Sequence, residues 1–338
     1  VNILPMPTGV SIAAIMPVDR DEDEWDDLQV VFATSAGTVR RNKLSDFTNV
    51  KSNGKIAMKF EDEHENTTLI NARIASKDDD VMLVTNSGRA IRFRATDVRV
   101  FNSRNSVGVR GIKLNGKDEV VSMSIIRHFN ADSDERAAYL KMRRAMAGLA
   151  DDAEGDEEEG NADMPLAQER YAEMSAAENL ILTITAKGSG KLSSSHDYPV
   201  RGRGGMGVTA MDKAMRGGDI VASFPVEMDD QIMLATSKGQ SIRVPVEGIS
   251  FRSRSAGGVK VFDTGKGEEV VSVAWIADQG DEDGQLVLVG ESLEEEGDRA
   301  EEQESEKLFE RLYPCARFWQ PADQLRAGPD DQIRQRHA

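Results

Sequence analysis

The sequence has one cysteine, Cys315, among its 338 residues. A single cysteine excludes an intrachain disulfide, and the scarcity of cysteine predicts an intracellular, cytoplasmic protein. No apolar run reaches the roughly 18 residues of a membrane span, so no transmembrane helix is predicted. The first residues, VNILPMPTGV, have neither an initiator methionine nor the basic start of a signal peptide, which predicts that they continue a longer protein.

Residues that could carry chemistry are also scarce. The four histidines are far apart and lack the spacing of metal ligands. Ser194, His196 and Asp197 are the residue types of a hydrolase triad, but close sequence neighbours do not easily reach triad geometry. No G-x-x-x-x-G-K-[ST] phosphate loop occurs. The sequence therefore predicts no catalytic residue, no metal site and no cofactor within this chain.

A repeat of about fifty residues runs through the chain. Four segments align: VVFATSAGTVRRNKLSDF from Val30, VMLVTNSGRAIRFRATDV from Val81, LILTITAKGSGKLSSSHDY from Leu180 and IMLATSKGQSIRVPVEGI from Ile232. Each is an apolar run, then T-x-x-G, then a short strand with basic residues. The turn glycines lie 51, 100 and 51 residues apart, and each is predicted to adopt a positive φ in a tight hairpin.

Each repeat continues through a basic, glycine-containing stretch to a further apolar strand. The stretches are KSNGKIAMKF, RNSVGVRGIKL, RGRGGMGVTAM and SRSAGGVKVF, and the strands are TLINARIA, EVVSMSII, DIVASFPV and EVVSVAWI. The segment VSIAAIMPV near the start has the same character. Four strands in some fifty residues predict a propeller blade, whereas an ordinary β-sandwich has no such self-similarity. The predicted fold is all-β, with about four four-stranded, propeller-like blades in an open arc and an inserted α-helical hairpin.

The predicted organisation has four parts. Residues 1–127 and 179–277 carry the blades, 128–178 form a helical, acidic insertion, and 278–338 form an acidic, disordered tail. Ser133 is predicted to cap the first inserted helix. The residues expected on one side of that helix are Leu140, Met142, Ala145, Met146 and Leu149. A tolerated loop insertion explains the helical segment better than a dedicated site does.

Positive charge is concentrated in the repeats. Residues 30–60, 81–114, 180–211 and 232–262 contain 22 lysines and arginines but only four acids, a net charge of +18. Because the whole chain carries −17, the remaining residues carry −35. A solvated surface without a partner would intersperse acids among the bases. The recurrence of the cations therefore predicts a basic band along the rim of the blades.

A curved basic band suits double-stranded DNA, held through its phosphates without reading the bases. The glycines are predicted to let backbone N–H groups approach the phosphates. Few aromatic residues lie among the cations, which argues against single-strand binding. The predicted DNA-binding residues are Arg40, Arg41, Lys43, Lys51, Lys55, Arg89, Arg92, Arg94, Arg104, Arg110, Lys191, Arg201, Arg203, Arg243, Arg252, Arg254 and Lys260. Reversing Arg89, Arg92 and Arg94 to glutamate is predicted to weaken DNA binding without unfolding the chain.

These residues resemble a known family. The segments VNILP, VFATSAGTVRRNKLSDF, SNGKIAMKF, VMLVTNSGRAIRF, VRGIKL, EVVSM, GKLSSSHDYPV, GRGGMGV, QIMLATSKGQSIRV and EVVSVA are similar, in order, to the C-terminal domain of the DNA gyrase A protein, which is part of a type II DNA topoisomerase. The resemblance spans residues 1–277 apart from the insertion. It implies a β-pinwheel, a propeller-like ring of six blades, with DNA wrapped around its basic rim.

The resemblance also implies a role within a larger enzyme. The wrap presents DNA to a cleavage gate, so that ATP-driven strand passage introduces negative supercoils. The cleaving tyrosine belongs to the N-terminal region of the gyrase A protein, and the ATP site belongs to the gyrase B protein, so this chain is expected to be inactive alone. The implied partners are double-stranded DNA, the rest of gyrase A, and gyrase B in an A2B2 holoenzyme, in the nucleoid-associated cytoplasm. ATP and Mg²⁺ are expected to act elsewhere in that enzyme.

The sequence departs from the family in two respects. The family's box, Q-[RK]-R-G-G-[RK]-G, belongs to the first blade, upstream of Val1; the stretch RGRGGMG matches it at Arg203, Gly204, Gly205 and Gly207 but lies in a later repeat. We interpret that stretch as a sister loop of the box. In addition, only four repeats and a remnant are present, where the family has six blades.

Three alternatives remain open from the sequence. The corresponding domain of topoisomerase IV lacks a regular box and does not wrap DNA in the same way. A propeller-like scaffold for protein partners would have a mixed or apolar rim. An enzyme with chemistry inside this chain has no candidate residues.

The acidic tail could compete with DNA for the basic rim, or serve only solubility.

Overall fold

The computed structural model describes residues 12–18, 25–48, 50, 54–60, 67–146, 148, 160–214 and 217–276. All of these residues lie within one compact unit, Val1–Gly280. The predictions for the tail, for most of the acidic turn DDAEGDEEEG and for Lys51 fall outside them. Within the described ranges, neither helix has the length and apolar character required to cross a bilayer.

The strands form four antiparallel sheets, one for each repeat, so the predicted propeller-like fold with a helical hairpin is confirmed. The strands before the helices are β1 Gln29–Thr34, β2 Thr38–Lys43, β3 Leu69–Ala75, β4 Asp79–Thr85, β5 Arg89–Arg94, β6 Val109–Arg110 and β7 Val120–Arg127. The helices are α1 Ser133–Met146 and α2 Gln168–Ala176. The later strands are β8 Leu180–Thr185, β9 Ser189–Ser194, β10 Val208–Thr209, β11 Ile220–Val226, β12 Gln231–Thr236, β13 Ser241–Pro245, β14 Val259–Lys260 and β15 Val270–Ile276.

The T-x-x-G motif closes the hairpin of each blade. Its glycines adopt φ values of 79°, 87°, 78° and 84°, as the sequence predicted. The threonine has a role that the sequence did not reveal. In the first blade, the Thr34 hydroxyl accepts the Thr38 N–H at 3.3 Å, and the other three blades repeat this bond at 3.2–3.3 Å. The motif therefore satisfies a backbone donor inside the turn.

The outer strand of each blade comes from the following repeat. The sheet orders are β3-β1-β2-β6, β10-β5-β4-β7 and β11-β8-β9-β14, with β6, β10 and β14 each supplied by the next repeat. The expectation that each repeat builds all four of its own strands was therefore wrong. The fourth sheet, β13-β12-β15, has three strands because no later repeat is described. This exchange links neighbouring blades through backbone hydrogen bonds.

The outer strands pass so close to the neighbouring hairpin that a glycine must precede them. Gly108 and Gly207 have φ values of 120° and 69°. A Cβ at Gly258 would lie 2.8 Å from the backbone nitrogen of Gly190, and one at Gly207 would meet the carbonyl oxygen of Ala90. These three glycines of the basic loops therefore serve the packing of one repeat against the next.

Replacing Gly207 with alanine is expected to lower the free energy of unfolding by more than about 1 kcal/mol, because it combines a positive φ with a backbone clash. Thermal unfolding by circular dichroism measures the loss. Gly202→Ala is the matched control, since a Cβ there has no neighbour within 4 Å and φ is not positive. Equal melting temperatures for the two variants would contradict this account of the loop.

The core lies between consecutive blades. Val31, Leu83 and Phe93 belong to the cluster between the first two blades, and similar clusters lie between the second and third and between the third and fourth. The first strands of the first three blades are buried on both faces, as predicted. In β12, burial alternates along the strand, because no described blade packs on its far face. Residues 12–18 form no strand, contrary to the prediction for VSIAAIMPV.

The inserted helices differ in detail from their prediction. Asp132 precedes α1 and accepts the Glu135 N–H at 2.8 Å, while Glu135 accepts the Asp132 N–H at 3.2 Å. This reciprocal pair is a capping box, so Asp132 caps the helix and Ser133 does not. The side that packs inward carries Tyr139 and Leu140, whereas Met146 is 72% exposed. Of the other residues expected on the packed side, Met142 and Ala145 are exposed and Leu149 lies outside the described residues.

Candidate nucleic-acid interface

Most of the predicted DNA-binding cations lie at the surface. Six are exposed, namely Lys43, Arg110, Arg201, Arg203, Arg243 and Lys260, and five are half-buried, namely Lys55, Arg89, Arg94, Arg104 and Arg252. We call these 11 residues the basic surface. They come from all four blades, from the ends of the second strands, the outer strands and the glycine loops.

Five predicted residues are buried, and the predicted band requires correction at these positions. They are Arg40, Arg41, Arg92, Lys191 and Arg254, with exposures of 0–8%. Their backbones lie where the repeat pattern placed them, but their side chains point inward. Burial lowers the pKa of Arg40, Arg41 and Arg92, because a charged guanidinium is poorly solvated inside the protein.

Arg40 and Lys191 occupy the same position in the first and third blades, and both hold the loop of the next repeat. The Arg40 guanidinium donates to the carbonyl and the hydroxyl of Ser106. The Lys191 ammonium donates to the Ser253 carbonyl at 2.9 Å and to the carbonyls of Arg254 and Ala256. Both groups are therefore held by hydrogen bonds inside the protein, those of Lys191 to backbone carbonyls and those of Arg40 also to the Asn42 side chain, and neither side chain reaches the surface.

Arg92 forms the most deeply buried ion pair of the described residues. Its Nε lies 2.8 Å from Oδ2 of Asp80, and the exposures of the two side chains are 3% and 0%. Its Nη1 donates to the Ser195 carbonyl at 2.8 Å, which connects the second blade to the third. Nδ1 of His128 also lies 3.0 Å from Asp80. No sequence pattern indicated this network, because Asp80 appears there as one of several acids in a turn.

Arg203 and Arg254 are equivalent clamps between consecutive repeats. Nε of Arg203 donates to the Asp97 carbonyl at 2.9 Å, and its Nη1 donates to the Arg110 carbonyl at 3.0 Å. Arg254 makes the same two contacts one repeat later, to the carbonyls of Asp197 and Thr209. Arg203 remains exposed, so it can contact a ligand while it holds the loop, whereas Arg254 cannot.

The loop RGRGGMG uses its backbone N–H groups within the protein. The Gly204 N–H donates to the Gly111 carbonyl at 2.6 Å, and the Arg201 N–H donates to the Arg92 carbonyl at 2.8 Å. The Gly205 carbonyl accepts the Lys113 N–H at 2.8 Å. The Gly204 and Arg201 donors are thus already engaged, and the prediction that this loop offers them to phosphates is wrong at these two positions.

Arg110 and Arg243 are the clearest exposed charges of the basic surface. Within the described ranges, neither side chain has an acidic partner within ion-pair distance. Lys43 and Lys260 are weakly compensated, by Asp26 at 3.9 Å and by Asp263 at 2.9 Å, in exposed pairs. Exposed ion pairs of this kind contribute little and exchange readily for a phosphate.

Sequence reasoning left out five exposed cations of the repeat cores. They are Lys59, Arg99, Lys113, Lys187 and Lys238. Their signal was present in the charge count of the repeats. Arg99 lies over the ring of Phe101, with 4.4 Å between the guanidinium carbon and the ring centroid.

The residues that resembled a triad have structural roles. Nε2 of His196 donates to the Met174 carbonyl at 2.8 Å, and the Ser194 hydroxyl accepts the backbone N–H of His196 at 3.2 Å. Burial lowers the pKa of His196, partly offset by its hydrogen bond to the Met174 carbonyl. Among the residues that the structure describes, no cluster of histidine, cysteine, aspartate and glutamate side chains could hold a metal ion.

The chain matches known proteins along most of its length. Residues 29–72, 79–127, 179–224 and 230–274, more than half of the chain, match the family described as DNA gyrase C-terminal domain, beta-propeller. The DNA gyrase A protein of Granulibacter bethesdensis is 43% identical over 314 residues, covering 89% of this chain and 32% of that protein. The DNA gyrase A protein of Rickettsia bellii is 39% identical over 298 residues, covering 88% and 32%. The chain spans about a third of the length of these relatives.

Two solved structures share the fold. The structure of a DNA gyrase A C-terminal domain matches with a TM-score of 0.53 at 22% identity, covering 75% of this chain and 67% of the other. The crystal structure of the C-terminal domain of a DNA topoisomerase IV matches with a TM-score of 0.59 at 18% identity, covering 81% and 68%. At these identities the likeness concerns the fold alone. With four repeats each matched in order, the chain belongs to the family of DNA gyrase C-terminal β-propeller domains.

Proposed function

We propose that this chain binds double-stranded DNA on the basic surface and wraps it, as the C-terminal domain of a DNA gyrase A protein. In the holoenzyme, the wrap would present DNA for ATP-dependent strand passage and so support negative supercoiling. The partners would be the remainder of gyrase A, and gyrase B in an A2B2 assembly, in the nucleoid-associated cytoplasm. ATP and Mg²⁺ would act outside this chain.

The observation that carries the proposal is the recurrence of exposed cations in a protein whose net charge is −17. Arg110 and Lys260 occupy the same position on the outer strands β6 and β14. Cations repeated in this way on the first and third blades suit a bent polyanion, which can contact separate blades with its phosphates. Because no described residue of the basic surface lies on a helix that could read bases, we expect binding without sequence preference.

The test is the affinity of the chain for a duplex of about 40 base pairs, long enough to bend, across a salt series. Each phosphate contact should make the fall of log affinity with log salt steeper by about 0.9. A slope that indicates several contacts, equal for two unrelated sequences, would support the proposal. An absence of binding at low salt would contradict it.

A topoisomerase IV role is the second candidate, because the C-terminal domain of such an enzyme shares the fold with a TM-score of 0.59. Topological analysis of a relaxed circular plasmid separates the two candidates. Wrapping predicts that the bound chain, after nicking and religation of the plasmid, leaves a change in linking number. Binding without such a change would favour the second candidate.

A further inference from the structure

The 3₁₀ turn that follows the second strand of each blade is accessible in three blades and buried in one. Ser45 is half-buried and Thr96 and Glu247 are exposed at equivalent positions, whereas His196 is only 3% exposed. Immediately before the turn, the first blade carries Lys43 and the third carries Ser194, which is 1% exposed. The third blade therefore lacks both the cation and the open surface at this end.

The inserted helices cover this turn. The His196 ring packs edge-on against Phe129 and Tyr139, with centroid distances of 5.6 and 5.0 Å. Its Nε2 donates to the carbonyl of Met174 in α2, and α1 packs directly on the turn. A histidine thus anchors the insertion where the other blades leave their turns open.

Contacts to the second blade and to the loop of the fourth repeat hold the insertion in place. His128, at its start, lies 3.0 Å from Asp80 of the second blade. The Arg143 guanidinium of α1 lies 4.7 Å from the ring centroid of Phe251 in the fourth repeat, and its Nε lies 3.2 Å from Glu178. The second blade, the third blade and the loop of the fourth repeat therefore position the helices over the turn.

In its sequence, the insertion as a whole carries a net negative charge, which disfavours contact with DNA. Residues 128–178 contain 14 acids and five lysines and arginines, a net charge of −9, whereas residues 180–211 of the repeat beneath have four cations and one acid. Acidic side chains repel a phosphate over distances of roughly 10 Å at 0.1 M salt. At this end, DNA meets exposed Lys43 on the first blade and half-buried Arg94 on the second, whereas the described helices of the insertion cover the turn of the third.

We propose that the helical insertion keeps double-stranded DNA off the turn of the third blade, and so limits the contacts at this end to the first two blades. This inference rests on the proposed DNA binding. The insertion acts through its bulk on the covered turn and through its negative charge.

Two variants of the full chain test the inference. The first replaces the seven acids of residues 151–159 with their amides and keeps both helices. The second replaces residues 127–179 with Glu-Met-Asp-Asp, the connection of residues 227–230 that joins β11 to β12. The matched control replaces seven acids of the tail, within residues 294–304, with their amides. It removes the same charge from a different segment.

The measurements are affinity for duplex DNA across a salt series and the length of a longer duplex protected from an exonuclease. We expect both insertion variants to bind more tightly. The second variant, which uncovers the turn, should also protect a longer stretch and gain about 0.9 in the magnitude of the salt slope for each new phosphate contact. The tail control should leave the protected length unchanged. If the second variant does not fold, the first still decides the question.

An unchanged protected length in the second variant, or an unchanged affinity in the first, with tight binding by the unmodified chain, would overturn the inference and leave the proposed function intact. A gain in affinity by the tail control equal to that of the first variant would also overturn it, because the effect would then belong to net charge. Failure of the unmodified chain to bind DNA would overturn the proposed function and the inference with it.

Discussion

Replacing Arg92 with methionine is expected to lower the free energy of unfolding by about 3 kcal/mol, because Asp80 would keep its buried charge without its closest partner. His128 at 3.0 Å and Arg94 at 3.8 Å remain near Asp80, which places the expected loss at the lower end for a broken buried pair. The carbonyl of Ser195 would also lose its donor. Chemical denaturation followed by circular dichroism measures the change.

Arg94→Met is the matched control, since Arg94 is half-buried and its nearer contact to Asp80 is 3.8 Å. It should cost less than about 1 kcal/mol. The double variant Arg92→Met, Asp80→Leu should recover much of the loss, because it removes the unpaired charge. Equal losses for Arg92→Met and Arg94→Met would show that the buried pair has no special role. The sequence-based expectation that Arg92 can be reversed without unfolding is not retained.

Reversing Lys43, Arg110 and Arg243 to glutamate is expected to reduce DNA affinity strongly while the melting temperature stays within a few degrees. These three side chains are exposed, belong to different repeats and make no buried contact. If each side chain contacts one phosphate, the plot of log affinity against log salt should become less steep by about 2.7, at 0.9 for each lost contact. The loss should be the same for unrelated DNA sequences, because phosphates carry no sequence information.

The matched control reverses three other exposed cations, Lys117, Lys213 and Lys266, which lie outside the basic surface. Both triple variants change the net charge by the same amount, so long-range repulsion affects them equally. A comparable loss of affinity in the control would mean that net charge, and not the basic surface, governs binding. An unchanged affinity in the first triple variant would remove these residues from the interface.

The sequence was sufficient for the architecture because repetition multiplies a weak signal. One T-x-x-G turn predicts little, but four at the same period, each between two strands, specify a hairpin, a blade and the number of blades. The excess of lysine and arginine over acidic residues in the repeats could be counted directly in the sequence. These features depend on local backbone preferences and on residue type, which are present in the chain before it folds.

Only the tertiary structure decided whether each basic side chain points to the surface or into the protein. Arg41 and Arg94 are both basic residues of a second strand, yet one is 6% exposed and the other is half-buried with a contact to Asp80. Strand periodicity assigns a residue to one of two faces, but it does not say which face the next repeat will cover. The outer strands β6, β10 and β14 come from the following repeat, so the neighbour of each cation is a residue far away in sequence.

The sequence by itself determined the repeat, the hairpin glycines and the excess of positive charge in the blades. The tertiary structure alone determined the exchange of outer strands, the burial of Arg92 against Asp80 and the docking of the insertion on His196. The physical reason is the range of the interactions. Turns and charge counts follow from residues a few positions apart, whereas burial depends on contacts such as that between Arg92 and Ser195, 103 residues apart.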